Sequence, residues 1–297
     1  MTEHVSVLSA EVVQQLRPER GGVFVDCTVG LGGHASALLA AGAGRVIGLD
    51  RDEAALDRAR RRLSPWLGRV ELVHADFRAI GPVLERLGVP LVDGALADLG
   101  VSSLQLEAAD RGFTFQRDER LDMRMDRSEG ETAADLIANA SETELADAIF
   151  QYGEERYSRR VARGIVAARR ESPIETTGRL AAIVRRAIPR RGPRRIDPAT
   201  RTFQAMRIWV NRELEGLDDF LRTIAHRLRS GARLAVIAFH SLEDRIVKHT
   251  LRALERSDVA LKVLTKKPIV PTEEEVQRNP RARSAKLRVA ERVSEPT

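Results

Sequence analysis

The feature that most constrains the fold is a rhythm that begins at residue 23. Four short runs of strand type, 23–26, 45–49, 70–73 and 92–98, alternate with helix-forming stretches at 33–41, 52–63 and 80–87. Parallel strands cannot be joined by tight turns and need long, usually helical, crossovers, so this spacing predicts a Rossmann-like, doubly wound parallel α/β sheet. The first run leads into Gly30-Leu31-Gly32-Gly33-His34-Ala35, where glycines allow a tight turn and a close backbone approach to a ligand.

The rhythm stops after Asp98. From 100 to 198 there is no convincing strand, only helical runs at 133–138, 142–151, 158–170 and 177–187, followed by a basic, proline-punctuated linker at 188–198. Residues 202–229 then read as one long helix closed at Gly231, residues 233–239 resume the strand pattern, and 261–264 and 286–290 are candidate closing strands. The expectation is a discontinuous sheet domain, residues 1–105 and 203–297, interrupted by a helical domain at 106–202. A length of 297 residues suits two domains, because a single core seldom grows past about 250–300 residues.

Charge separates the two parts. The chain carries +6, but residues 151–212 hold 16 arginines, no lysine and five acids, a local balance of +11. Such clustering is a footprint for a polyanion, the alternative being a solvated helical surface. Aromatics are only 4%, which supplies few stacking platforms for single strands. Cys27 is the only cysteine, so no intramolecular disulfide can form and a cytoplasmic location is expected. Neither a signal peptide nor an 18-residue apolar run is legible.

Two ligands suit the glycine turn: a nicotinamide dinucleotide, from the G-x-G-x-x-A pattern with Asp50 twenty residues on, or S-adenosylmethionine. Asp50 ends the second run, where it can take ribose hydroxyls or cap the next helix. Asp76-Phe77 ends the third, where it can grip a purine, Phe77 otherwise being a core residue. Asp98-Leu99-Gly100-Val101-Ser102-Ser103 puts an acid and a tight turn at the end of the fourth. A methyltransferase acting on an exocyclic amine needs acceptors that orient the nitrogen lone pair more than it needs a strong base, which a carboxylate supplies. Hydride transfer needs an acid/base pair for the alcohol proton, and no His or Tyr–Lys arrangement of that kind stands here. Cys27, tested as the nucleophile of carbon methylation, reads better as a small buried residue. His34 has no partners at metal-ligand spacing, so no metal site is read there.

With these residues in view, the chain resembles the MraW/RsmH family of S-adenosylmethionine-dependent ribosomal RNA methyltransferases. The resemblance is carried by His4 to Leu8, Gly30 to His34, Asp50-Arg51-Asp52, Asp98 to Gln105, Arg111-Gly112-Phe113-Thr114-Phe115, Leu121 to Asp126 and Tyr152 to Arg156. It continues through Thr202 to Asn211, Phe239 to Arg245 and Asn279 to Ser284. It implies methylation of a cytidine N4 in the decoding region of small-subunit ribosomal RNA, within an assembled or nearly assembled subunit. It also implies S-adenosyl-L-methionine contacts at Gly32, Gly33, His34, Asp50, Phe77, Asp98 and Gln105; Asp98 and nearby backbone carbonyls are then expected to hold the amine. Arg111, Asp122, Arg124 and Asp126 then read either as a lid over the reactive centre or as a salt-bridge network within their loop.

Overall fold

Each strand-type run is a strand because its successive residues feed two different apolar layers. In the computed structural model, β1 (Val23–Asp26) sends Phe24 to one layer and Val25 to the other; β2 (Arg45–Asp50) divides Val46 from Ile47 in the same way. β3 (Val70–His74) and β4 (Val92–Asp98) complete the run, with Leu96 on one face of the sheet and Ala95 and Ala97 on the other. The structure describes residues 6–101, 105–106, 108–189, 196–257 and 259–293. The motif residues His4, Val5, Ser102, Ser103 and Leu104, and the linker residues 190–195, lie outside the described residues.

The crossovers are helical, as parallel pairing requires: α2 (Gly33–Ala40), α3 (Glu53–Arg62) and α4 (Ile80–Arg86), preceded by a short α1 (Ser9–Leu16). Seven strands follow the order β3-β2-β1-β4-β5-β7-β6, where β5 is Leu228–Ala238, β6 Leu261–Val263 and β7 Lys286–Arg292. β1 to β5 pair in parallel, whereas β7 runs antiparallel to both β5 and β6. The antiparallel β7 wedged between β5 and β6 departs from the 3-2-1-4-5-6 order of dinucleotide-binding sheets. Strand order reverses between β1 and β4, and ligands of open α/β sheets bind beside the carboxyl ends at such a reversal.

The chain divides into two units, Met1–Ser102 with Leu214–Thr297, and Ser103–Glu213. The helix expected across 202–229 is two helices, α9 (Ala199–Asn211) and α10 (Leu217–His226). Left-handed backbone at Arg212 (φ 49°) and Gly216 (φ 66°) ends the first and starts the second, so the apolar periodicity that seemed continuous serves two different cores. Gly231 also differs from expectation. It lies inside β5, where the β4–β5 register slips from Val92↔Leu228 to Gly94↔Arg233 and a left-handed residue absorbs the extra chain.

The second unit is helical: α5 (Ala133–Asn139), α6 (Glu142–Gly153), α7 (Ser158–Glu171), α8 (Thr177–Ala187) and α9 surround a core that includes Leu145, Ile165, Leu180 and Met206. Capping boxes at Thr132/Asp135 and Ser141/Glu144 satisfy the first N–H groups of α5 and α6. At the end of α6, a Cβ on Gly153 would sit 2.5 Å from the Arg201 carbonyl oxygen of α9, so the glycine sets how closely these helices pack. Gly153→Ala is expected to cost about 1–3 kcal/mol by overpacking, read as a lower thermal midpoint; an unchanged midpoint would show that α6 and α9 are free to separate.

Candidate active site

The carboxyl ends of β1, β2 and β4 converge on one cluster of polar side chains. Thr28 ties two of them: its Oγ1 accepts the Asp98 N–H of β4 at 2.6 Å, while its own N–H donates to Asp26 Oδ1 at 3.3 Å. Asp50 braces the glycine turn, accepting the Gly30 N–H at 2.8 Å and the Asp52 N–H at 2.9 Å. The cap of α3 is Asp52, which accepts the Ala54 N–H at 3.1 Å, so capping is not the task of Asp50. His34, in the first turn of α2, is 5% exposed, and its Nε2 lies 3.5 Å from Asp98 Oδ2. At that distance the pair is an electrostatic contact more than a formed hydrogen bond.

What marks this cluster as a binding site is polarity left unspent. Among the described residues, Asp26 Oδ2, Asp98 Oδ1 and both ring nitrogens of His34 are buried without a hydrogen-bond partner. Buried polar atoms are nearly always paired, because an orphan costs about 1–3 kcal/mol, so four together point to a ligand that completes them. Burial lifts the Asp26 carboxyl to about 7, opposed by His34 and the Thr28 N–H and helped by the charges of Asp98 and Asp50. Burial likewise lifts Asp50 to about 6, against the N–H groups of Asp52 and Gly30. For His34, burial pulls the imidazole down, but the carboxylates of Asp98 and Asp26 outweigh it and hold the ring above its ordinary value.

The glycine turn fits a close ligand. Gly30 (φ 52°) and Gly32 (φ 77°) are left-handed, and a Cβ on Gly30 would meet only the Thr28 carbonyl oxygen, at 3.9 Å, leaving that side open. Gly33 is constrained for another reason, since a Cβ there would fall 2.0 Å from Ser6 Oγ. A cofactor with a cationic amino acid end and ribose hydroxyls suits this donor set: buried carboxylates, free acceptor oxygens and an open glycine backbone.

The other expected site residues take different places. Phe77 is half-buried and packs edge-on against Phe220, with ring centroids 4.8 Å apart, so it belongs partly to the core. Its neighbour Asp76 is engaged by Arg78 through Nε and Nη2, each at 2.7 Å, and by Arg51 at 3.3 Å; partial burial raises its carboxyl, but the guanidinium of Arg78 prevails and holds it low. Cys27 is buried among Val25, Leu49 and Ala97, and burial pushes its thiol up, away from thiolate chemistry. Gln105 belongs to the helical unit, where it is buried.

The charged loop of the helical unit forms a network within itself. Arg124 grips Asp122 with two hydrogen bonds of 2.8 and 3.0 Å, Arg111 donates to the Met125 carbonyl at 3.0 Å, and Ser128 Oγ donates to Asp126 at 2.6 Å. Asn211 pins the loop from α9, accepting the Met125 N–H and donating to the Met123 carbonyl, both at 2.8 Å. The motif Phe239 to Arg245 is likewise structural in large part. His240 and Glu243 form the capping box of α11 (Ser241–Leu254), and Asp244 receives Arg288 Nε at 2.6 Å from β7. Sequence reasoning missed Asp26 and Thr28 at the end of β1, and it did not foresee that His240, with Nε2 3.1 Å from Glu243 Oε1, serves its own helix. A signal existed for the first two, since an acid closing the first strand directly before the glycine turn shares the edge with Asp50 and Asp98.

An open α/β sheet of this order, with unspent carboxylates and a glycine turn where the order reverses, defines a nucleotide-type cofactor site. The model of the MraW methylase family matches residues 1–293, and the chain belongs to that family. It is 53% identical over 294 residues to the ribosomal RNA small subunit methyltransferase H of Sorangium cellulosum, covering 98% of this chain and 91% of that protein. It is 50% identical over 307 residues to the protein of the same name from Geobacter sp. (strain M21), covering 98% of each. The chain is therefore a methyltransferase that uses S-adenosylmethionine, and the nicotinamide alternative falls away.

The buried acids carry a pH signature. Asp26 and Asp50 bind protons more tightly folded than unfolded, so their ionisation as pH rises from about 4 to 7 lowers stability; His34, raised in the folded state, works in the same direction. Asp26→Asn removes the largest of these penalties, a few kcal/mol at about 1.4 kcal/mol per pH unit. The variant's thermal midpoint, compared with the parent's, is expected to gain more at pH 8 than at pH 5. An equal difference at both would mean that Asp26 does not titrate in that window.

Proposed function

We propose that the chain transfers a methyl group from S-adenosylmethionine to the exocyclic N4 of a specific cytidine in the decoding region of small-subunit ribosomal RNA, within an assembled or nearly assembled subunit in the cytoplasm. The observation that carries the reading is Asp98: a carboxylate at the end of β4, beside the strand that leads into the glycine turn, with one buried oxygen unpartnered. Relatives at about half identity are named for methylation of small-subunit ribosomal RNA, which supports the substrate class. The buried thiol of Cys27 counts against attack through a thiolate adduct at a ring carbon.

The cofactor, when bound, supplies an electrophilic methyl group on a sulfonium sulfur. Gly32, Gly33 and His34 would line its amino acid end, Asp50 its ribose and Phe77 its base, and the family resemblance adds Gln105. Asp98 accepts an N4–H of the cytosine and turns the nitrogen lone pair toward the reacting carbon. The proton of an amine made acidic by alkylation would pass to the Asp98 carboxylate that already accepts it and from there to water, so no strong base is required. Thr28 holds the backbone of Asp98 in place through the 2.6 Å hydrogen bond, and His34 presents a buried cation beside it when protonated.

A base stacked in RNA cannot reach such an edge and must be turned out of its stack. The inserted helical unit, residues 106–202 in the sequence division, carries the arginine excess and is read as the part that holds the flanking RNA. Among the described residues no helix is long and apolar enough to cross a membrane.

Asp98→Asn keeps the shape but weakens the acceptor. It is expected to reduce methyl transfer by at least about a hundredfold, the scale of losing one preorganised electrostatic partner, while shifting cofactor affinity much less. The assay is incubation with methyl-labelled S-adenosylmethionine and small subunits lacking the modification, followed by nucleoside analysis. Label on N4-methylcytidine from the parent chain is the expected result; label on another nucleoside, or near-parent turnover by the variant, would overturn the assignment.

A further inference from the structure

The arginines of the helical unit are not equivalent, and the structure sorts them. Arg169 donates to the Ala140 carbonyl at 2.7 Å, and Arg179 to those of Ala168 and Ser172 at 3.2 and 3.0 Å, so both close helix ends. Arg185 pairs with Asp197, Arg207 with Glu213, and Arg156 lies over the Tyr157 ring. These guanidinium groups are committed to the unit's own packing.

Three others border a groove of about 430 Å³ between α7 and α8. Arg160 and Arg163 stand on α7 and Arg186 on α8, all exposed. Among the described residues neither Arg160 nor Arg186 has an acidic partner, and Arg163 has Glu142 at 3.7 Å on the open surface, where such a pair is worth little. The spacing explains the arrangement. On α7, positions 160, 163, 164 and 167 follow the 3–4 repeat of one helix face, while Val161, Ala162, Ile165 and Val166 face the core. Gly164, Ala167 and Ala187 line the groove between the arginines, so it is shallow and closely bordered by charge. Glu171 stands at the groove two turns of α7 beyond Arg163 and opposes an anion there, which confines the favourable stretch to the arginine end.

We infer that this groove holds the phosphate backbone of an RNA strand in the substrate. The inference rests on the proposed RNA methyltransferase reading. Exposed guanidinium groups without a close acidic partner, over a floor of small side chains, suit a polyanion gripped by its backbone; bases are not read there, since the floor offers neither an aromatic ring nor an unsatisfied hydrogen-bonding side chain.

The test compares the parent chain, the triple variant Arg160→Gln/Arg163→Gln/Arg186→Gln, the single variant Ala167→Glu, and a control, Arg159→Gln/Arg170→Gln, that removes exposed charge outside the groove. Binding to a decoding-region RNA fragment is measured from 50 to 200 mM salt, alongside methyl transfer to small subunits. Losing three phosphate contacts should reduce the slope of log affinity on log salt by about 2, at roughly 0.7 per contact for single strands. KM for subunits should rise roughly tenfold or more with kcat little changed, because none of the three arginines is among the residues proposed for methyl transfer. Ala167→Glu, at an exposed position that leaves every arginine in place, should weaken binding in the same direction, and the control should shift the slope by clearly less than the triple variant. If the parent binds and methylates while the triple variant and Ala167→Glu match it, the groove assignment is overturned and the function stands. If the parent neither binds RNA nor transfers label, the function itself fails, and the groove assignment with it. Displacement of the RNA by polyglutamate as readily as by polyuridylate at equal charge would assign the groove to an acidic protein segment and overturn the inference.

Discussion

The hydrogen bond from the Asp98 N–H to Thr28 Oγ1 joins the two strands on which the chemistry depends. β1 delivers the glycine turn and β4 the proposed acceptor Asp98, and they are neighbours because the strand order reverses between them. Parallel pairing, Phe24↔Gly94 through Asp26↔Leu96, brings both strands to the same edge, and Thr28 then fixes the last increment, the position of Asp98 against Asp26 and His34. The cost is electrostatic. Three carboxyls and an imidazole share a buried edge, with Asp26 raised to about 7 and Asp50 to about 6. Strain of this kind is common where a ligand completes the site, and the unpartnered oxygens of Asp26 and Asp98 are where that completion is missing from the protein alone.

Much of this was legible in the sequence, because the signals were local. The strand–helix rhythm places β1 to β4 and their crossovers, and Thr177–Ala187 is a helix over the residues that its sequence pattern indicates. The failures came where one pattern served two masters. Apolar spacing runs on through 202–229, yet left-handed residues at 212 and 216 split the segment between two cores, and nothing in a 3.6-residue repeat announces an arginine with positive φ. Gly231 was read as a stop; inside β5 it takes up chain at a register slip. At the site, Asp50 and Asp98 were legible as strand-ending acids, whereas the part played by Asp26 depends on burial, which no single residue displays.

The helical unit teaches a related lesson about charge. Its arginine excess looks uniform in the sequence, but the structure uses much of it internally, as in Arg169 and Arg179 closing helix ends and Arg124 holding Asp122. Motifs that seemed chemical, such as Leu121 to Asp126 and Thr202 to Asn211, turn out to meet each other through Asn211 and the loop carbonyls. A specific pattern of residues can therefore identify a family while its members serve packing. What separates the two uses here is satisfaction: committed groups have close partners, whereas among the described residues Asp26 Oδ2, Asp98 Oδ1 and the His34 ring nitrogens make no hydrogen bond and Arg160 and Arg186 make no ion pair.

The central claim is that Asp98 holds the amine that is methylated. The most direct measurement is a crystal structure of the chain with S-adenosylhomocysteine and a cytidine-containing oligonucleotide from the decoding region. The account predicts a cytosine N4 within about 2.6–3.2 Å of the Asp98 carboxylate or an adjacent backbone carbonyl, with the cofactor's amino acid end against Gly32 to His34. A base placed with N4 away from Asp98, or a cofactor bound elsewhere than the carboxyl ends of β1, β2 and β4, would contradict it.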